Sequence, residues 1–570
     1  MNRRFLLFIA ALLAAIAVTL AVSGGFRTTV GGLRISARSP LPIAFLAFIN
    51  FTLWLSWARR AQAIDSDLEA AWHRLTHRAS VIAIALLVMA MTAVFATRSA
   101  AGADASGYVS QAEMWASGDL LYNERAIRYD PGEDQWLFSP LGWRPIALSD
   151  IISVRQAPTY PPGLPLLMAI PEAIAGVTGA SALVVASTAI AVLAVALIAS
   201  RLAGGAAAVI AAVLLGFTPV FLYQSIQPMS DVPVTAAWMV CFALLARSGA
   251  SLDAPAGIAC AIAVLIRPNL APLAIVPLVI AQRRLWFAAP VAIAGIFLAA
   301  IQAFWYGSPF RSGYGTAEEL FALTNIVPNA SRYLSWTLAS APIMLFGVIG
   351  FWRLRRERIA QAMAVFAVLV VASYLIYAVF DDWSYLRFLL PALAVLAIFA
   401  AAEIAVWLAA WPVTIRVPVL FALLLGVTAY NLFTARMHGT FQLRDQLARV
   451  ERIAGYINAN VPGEAVILSG EQSGSMRYYT GRPILRWEAA TPETLDKAVA
   501  TLEQSGRPVF VVLDAWEDEL FRKKFASYPA GALDWPPMVE AGRSHRTRLW
   551  KIADRDRFLR GAPLNITRLP

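Results

Sequence analysis

Cysteine and histidine are nearly absent from this sequence, with two and four copies respectively in 570 residues. Cys241 and Cys260 lie inside apolar runs without CxxC spacing, so a disulfide framework has no support. His73, His77, His438 and His545 form no HExxH-like pair. That argues against a histidine-zinc centre and leaves proton transfer to carboxylates. Charge is scarce too: Asp, Glu, Lys and Arg make up 15% of the chain, against about 25% in an ordinary globular protein. What fills the sequence instead is apolar, at 59%. A soluble chain of this length would suggest about three to five domains, but this one lacks the polar surface to cover them. The composition therefore predicts a polytopic integral membrane protein. It excludes a cytosolic enzyme, a secreted disulfide scaffold and a disordered chain. The excess of 47 Lys and Arg over 36 Asp and Glu falls mainly between apolar runs, as orientation signals beside a bilayer would. It does not point to nucleic acid.

A bilayer core needs about 20 apolar residues per helix. Residues 5–23, 41–57 and 81–96 are the first three candidates; the first has the length of a retained anchor rather than a cleaved signal. Between the second and third lie Arg59, Arg60, Arg74 and Arg78, which the positive-inside rule assigns to the cytoplasm. The long segment 97–162 is then external. Further spans read as 181–200, 206–223, 232–246, 286–304, 334–351, 361–379, 388–409 and 418–433. Two short pieces, 256–266 and 270–280, are broken by Arg267-Pro268-Asn269, as backbone lining a cavity can be. Residues 163–177, with Pro165, Pro171 and Glu172, read as a short surface or re-entrant helix. The basic run 353–358 falls inside by the same parity. The expected fold is α-helical with about 11–13 transmembrane helices. It divides into N-terminal helices and a cytoplasmic loop (1–80), a membrane module (81–440) and a small external α/β domain (441–570). In that last part helices at 442–457 and 492–504 alternate with strands at 465–468, 483–487 and 508–513. Its Gly470-Glu471-Gln472-Ser473-Gly474 stretch lacks the strand–GxGxxG–helix setting of a nucleotide site, so the domain reads as a structural lid or acceptor-side domain without catalytic residues.

A few polar residues stand out. Asp104 and Asp231 begin outer helical segments, where a carboxylate is either a cap or a functional acid. Arg387 also sits at an outer helix start, an unfavourable place for a cation unless Asp381 or Asp382 pairs with it. Arg267, at the break between two half-helices, needs an anion, since an unpaired cation there costs roughly 2.5–3.5 kcal/mol. Arg155 precedes the rigid Ala157-Pro158-Thr159-Tyr160-Pro161-Pro162-Gly163. Together they outline an outward-facing cavity with two acids, several arginines and aromatic walls.

The order of motifs is more specific than any one of them. Asp104, Tyr108 and Ala112 are followed by Tyr160-Pro161-Pro162-Gly163, Thr218-Pro219 with Ser230-Asp231, and Arg267-Pro268-Asn269. Then come Tyr306-Gly307-Ser308-Pro309-Phe310-Arg311-Ser312-Gly313-Tyr314-Gly315, Arg387-Phe388-Leu389-Leu390-Pro391 and Tyr478-Tyr479-Thr480-Gly481-Arg482. In this series the chain resembles the GT-C glycosyltransferases, in the branch of protein O-mannosyltransferases and lipid A aminoarabinose and galacturonic acid transferases. The resemblance runs from residue 81 to 487, leaving the two earlier spans as an addition.

The resemblance implies sugar transfer from a polyprenyl-phosphate donor to an envelope lipid, glycan or protein at the outer face of the cytoplasmic (inner) membrane. It makes Asp104 the catalytic carboxylate and Asp231 a supporting acid. It assigns Arg155, Arg267 and Arg387 to the donor phosphate and Tyr108, Tyr160, Arg311 and Tyr314 to substrate. Ala105 stands where protein-mannosylating relatives carry an acid, and Gln156-Ala157-Pro158 departs from the lipid A-modifying pattern. One base and a direct attack imply inversion. These residues require no cofactor, although the pair Asp104 and Asp231 is compatible with a divalent cation. The alternative, a transporter or flippase of lipid-linked sugars, would place ionisable groups near the midplane and carry internal repeats.

Overall fold

The computed structural model describes residues 3–24, 26–30, 33–37, 39–60, 62–124, 135–146, 154–247, 249–315 and 317–569. Among these, 8 helices are long and apolar enough to cross a membrane, or 9 if the bent pair Leu323–Ser340 and Pro342–Leu354 is one span. With the shorter apolar helices Asp231–Leu245, Ala250–Ile266 and Pro268–Ile280 beside them, the chain is a multi-pass membrane protein.

The bundle is built around Leu390–Ala409, which is buried along most of its length. Its alanines permit close approach, a common device where lipid supplies no hydrophobic drive between helices. At Gly350 the neighbouring helix comes so near that a Cβ would lie 1.9 Å from the Phe399 carbonyl oxygen. The long helix Gly163–Gly216 packs against this centre but is not straight. Its backbone leaves helical geometry at Ala175-Gly176 and Ala203-Gly204, with φ of +56° and +83° at the two glycines. Residues 163–174 are thus the short helix anticipated from Pro165 and Pro171.

Three expectations need correction. Residues 206–223 are not one continuous span: the helix ends at Gly216, and Pro219–Ser225 starts afresh after Thr218. Residues 334–351 are divided at Ala341-Pro342 and bent by 108°, since proline can offer no N–H to the preceding turn. The loop 58–80 contains an amphipathic helix, Ile64–Leu75. Its buried Asp67 accepts from Arg3 Nε (2.7 Å), Arg4 Nε (3.0 Å) and Trp54 Nε1 (3.2 Å), tying the first two long helices together.

The segment between Arg78–Phe95 and Gly163–Gly216 also holds an antiparallel sheet, Tyr122–Glu124, Val154–Pro158 and Trp143–Pro145, that the sequence pattern did not suggest. In the C-terminal part a six-stranded sheet runs in the order Thr567–Leu569, Val539–Ala541, Thr547–Lys551, Val509–Asp514, Val466–Ser469 and Ile484–Arg486. The last three are mutually parallel, and Thr547–Lys551 is antiparallel to Val509–Asp514. Alternation sorts their side chains. Val466, Leu468, Val509 and Val511 pack with Leu495 and Leu502 of Pro492–Gln504, while Ile467, Phe510 and Val512 pack with Ile453 and Ile457 of Leu443–Asn460. A helix on each face accounts for the unbroken apolar run Val-Phe-Val-Val-Leu.

The turn at Gly176 folds residues 163–174 back so tightly that a Cβ on Gly179 would lie 1.7 Å from the Pro171 carbonyl oxygen. Gly179→Ala is therefore expected to cost about 1–3 kcal/mol through overpacking, read as a lowered midpoint of thermal unfolding in detergent.

Candidate active site

The helix Ala103–Ala116 enters from a turn at Gly102, whose φ of +81° favours glycine. Asp104 lies in its first turn, yet its side chain caps nothing. Oδ1 accepts from the Tyr160 hydroxyl at 2.8 Å and Oδ2 from Arg387 Nη2 at 2.8 Å. Gly107, one turn on, makes room for Tyr160, whose ring would otherwise be 2.1 Å from a Cβ. The prolines after Tyr160 lead directly into residues 163–174, and Gly163 seats that start against the Leu265 backbone, where a Cβ would be 2.3 Å away. The local rigidity of the Tyr-Pro-Pro-Gly stretch thus fixes the aromatic donor of Asp104.

Asp231, the first residue of Asp231–Leu245, does not cap its helix either. Its Oδ1 is ion-paired with Arg267 Nη2, both side chains being buried. Oδ2 has no hydrogen-bond partner among the described residues. Arg267 marks the break between Asp253–Ile266 and the 3-10 turn Pro268–Ala274, and Asn269 Nδ2 donates to the Tyr374 hydroxyl at 3.0 Å. Arg387 pairs with neither nearby acid: Asp381 is engaged by Arg332, and Asp382 accepts from the Ser384 N–H at 2.8 Å. Its guanidinium lies over the rings of Tyr385 (4.9 Å) and Phe388 (5.3 Å), and its buried Nε has no partner among the described residues.

These groups line one cavity of 840 Å³. Asp104, Tyr108, Tyr160, Asp231, Arg267, Tyr314 and Arg387, seven of the nine sequence-derived residues, meet there. Tyr108 donates to Ser230 Oγ at 3.1 Å, and Tyr314 sets its ring edge-on to Tyr160 at 5.8 Å. Burial first, and the nearby Asp104 carboxylate, push both the Tyr108 and Tyr160 hydroxyls up, so both remain proton donors at neutral pH.

Arg155 and Arg311 are not brought in. Arg155 is exposed on the strand Val154–Pro158, and alternation turns the next side chain, Gln156, inward to the Phe138 carbonyl oxygen (3.0 Å). Arg311 is exposed on the loop whose neighbours Ser312–Gly315 fold under the cavity, with Gly313 wedged against the Thr159 backbone. Conversely, Tyr374, Tyr377 and Tyr385 line the site and were not anticipated. The spacing of Tyr374 and Tyr377 by three residues at the end of an apolar run was a usable signal. The acids raised as a cation pair are each held by a guanidinium, and among the described residues no group of three His, Cys, Asp or Glu could hold a metal ion.

Breaking a buried ion pair by removing one partner costs about 3–5 kcal/mol, because the other charge is left uncompensated. Asp231→Asn is expected to destabilise by that amount, and the double variant D231N/R267M by less, as measured by thermal unfolding in detergent.

No protein-family model and no curated protein sequence matches the chain. Solved structures do. ArnT from Cupriavidus metallidurans bound to undecaprenyl phosphate superposes with a TM-score of 0.52 at 14% identity, covering 83% of this chain and 97% of that one. The Archaeoglobus fulgidus oligosaccharyltransferase tethered to an acceptor peptide with the NVT sequon gives 0.50 at 14% identity, over 81% and 72%. The A. fulgidus oligosaccharyltransferase AglB with an inhibitory peptide and a dolichol-phosphate gives the same values. Shared over most of both chains, this arrangement of helices and C-terminal sheet identifies the protein as a polytopic membrane protein of GT-C fold.

Proposed function

We propose that the protein is a glycosyltransferase that moves a sugar from a polyprenyl-phosphate carrier to an acceptor hydroxyl at the outer face of the cytoplasmic membrane. The observation that carries this reading is Asp104 held between Tyr160 and Arg387 in a cavity that also contains Arg267. A carboxylate can take the acceptor proton, and two cations at the same cavity suit a leaving phosphate. Undecaprenyl phosphate and dolichol-phosphate in two structures of the same fold support a lipid-phosphate ligand.

The outward orientation is supported by the polarity of the helices. Arg78–Phe95, Arg284–Tyr306 and Arg358–Leu375 each begin with arginine. Their other ends lead toward Asp104, Tyr306 and Tyr374 in the cavity. With the arginine ends on the cytoplasmic side by the positive-inside rule, the cavity faces out.

In the mechanism, the acceptor oxygen attacks the anomeric carbon, the carbon–oxygen bond to phosphate breaks, and phosphate leaves with the electron pair. The hydroxyl proton passes to Asp104. A single displacement inverts the anomeric centre. Before the donor arrives, Arg387 is neutralised by Asp104 and Arg267 by Asp231. A phosphate that competes for these guanidiniums releases the carboxylates as it binds, so the base is freed when there is something to deprotonate.

The test compares envelope glycans, by mass spectrometry, from cells with the gene, without it, and with Asp104→Asn. Loss of one sugar in the last two, with the variant still inserted in the membrane, is expected. A loss of about 100- to 10,000-fold in transfer is the scale for removing a general base. A fully active Asp104→Asn chain refutes the role given to this residue.

A further inference from the structure

The helix that carries Asp104 has no cap of its own. Gly102 and Ala103 stand where Ser, Thr, Asp or Asn would satisfy the first N–H groups. The missing acceptors come from 368 and more residues downstream. Glu471 Oε1 accepts from the Ala103 N–H at 3.2 Å, and Gln472 Oε1 accepts from the Gly102 N–H at 3.1 Å. Both belong to the loop after strand Val466–Ser469, the glycine-rich stretch that resembled no known site.

That loop is itself anchored. The Glu471 N–H donates to Glu517 Oε1 (2.9 Å), whose Oε2 accepts from the Asp514 N–H (2.9 Å). Gln472 Nε2 donates to Asp514 Oδ2 (2.9 Å), which is also bound by Arg449. Ser473 Oγ accepts from the Leu141 N–H (3.0 Å) of the external segment. Gly474 passes so close to Leu141 that a Cβ would be 2.5 Å from its carbonyl oxygen.

We propose that Glu471 is a positioning residue for the transfer reaction: by capping the helix at Ala103 it fixes Asp104 toward Tyr160 and Arg387. This rests on the function proposed above. Asp104 follows the capped residue directly, so a slack first turn moves the carboxylate. An ionised acceptor makes a stronger hydrogen bond to an N–H than a neutral one and complements the positive end of the helix.

Burial moves the ionisation of the cap toward neutral pH. Burial, with the carboxylates of Glu517, Asp104 and Asp514 adding to it, pushes Glu471 up to about 7, against the lowering effect of the Ala103 N–H. Burial likewise takes Glu517 to about 7. Asp104 and Tyr385 face this group from the membrane module, with Arg387 paired to Asp104, and Asp514 and Glu517 face it from the C-terminal part, with Arg449 paired to Asp514 and Glu488 beside the preceding Gly470. Between the ordinary carboxyl value of 4.5 and about 7 the folded chain binds more protons than the unfolded one, so stability falls as pH rises through that window. The charged cap is held against that gradient, as expected where position matters more than stability.

The experiment uses full-length chains in membrane vesicles that contain the endogenous donor and acceptor. Transfer is read by mass spectrometry from pH 5.5 to 8.5, and amide exchange at residues 102–105 is read on the purified proteins. Wild-type transfer is expected to rise through about pH 7. Glu471→Gln keeps an acceptor but no charge. It should lose the rise, fall about ten-fold at pH 8, and unfold at a higher temperature than wild type above pH 7 but not at pH 5.5. Glu471→Ala should also lose protection of the Ala103 amide; if it does not insert, Glu471→Gln carries the test alone. A Glu471→Gln chain whose pH profile and amide exchange match wild type, with Asp104→Asn inactive, overturns this inference alone. A fully active Asp104→Asn chain overturns the function beneath it. The exchange and stability measurements need no knowledge of either substrate.

Discussion

Two guanidinium groups line the cavity of a chain that is 59% hydrophobic, and each is matched by one carboxylate. Desolvating an isolated charge costs several kcal/mol even after relaxation, so these arginines are tolerable only where an anion meets them. The constraint has a structural consequence. Asp104 and Arg387 are 283 residues apart and Asp231 and Arg267 36 apart, so the pairs join the helix Ala103–Ala116 to the 3-10 turn Trp383–Leu389 and a helix start to a helix break. Once the pairs are made, the Tyr-Pro-Pro-Gly turn, the Gly107 contact and the aromatic walls all face the same space. Replacing such pairs with apolar residues often stabilises a protein. Their presence in the 840 Å³ cavity therefore argues for a use other than stability.

That use follows from what the pairs leave unfinished. Asp231 Oδ2 and Arg387 Nε are buried without hydrogen-bond partners among the described residues, and a buried polar atom left unsatisfied costs about 1–3 kcal/mol. A ligand bearing both anionic and hydroxyl oxygens could satisfy a donor and an acceptor of this kind. A cavity in which every atom was already matched would gain nothing from binding. Here the pairing is sufficient to fold the site and insufficient to close it, and a phosphate is the kind of group that can displace a carboxylate from a guanidinium.

Much of this was legible in the sequence because it depends on short-range rules. Pro165, Pro171 and Glu172 announced a short helix, and Arg267-Pro268-Asn269 announced a break that a cation would occupy. Asp231 could be named as a functional acid, but whether Arg267 or a cap would take it was undecidable. Both requirements are local and identical, and only the fold brings the two residues together. Arg155 and Arg311 lie outside the cavity for the opposite reason: sequence adjacency to a motif says nothing of which side of a strand or turn a side chain leaves. The three-stranded sheet of residues 122–158 and the antiparallel half of the C-terminal sheet were missed because their strands are three to five residues long and their pairing is set by partners elsewhere in the chain.

The capping of the Asp104 helix shows where an absence in sequence carries information. A helix start reading Ala-Gly-Ala-Asp has no Ser, Thr, Asn or Asp at the cap position. A buried helix end cannot leave its N–H groups unmet. Some other segment must therefore supply acceptors, and the choice is restricted to groups that can reach a crowded turn without adding bulk. The glycines at 470 and 474 let the loop approach within contact of Glu517, Trp487 and Leu141, and the two residues between that face the helix are an acid and an amide. The C-terminal part thus contributes to the site from outside the cavity: the first turn of the Asp104 helix is complete only when that part is docked. The turn that carries Asp104 and the seat of the last 130 residues share the same hydrogen bonds, so a chain that has not finished assembling has not finished building this cavity.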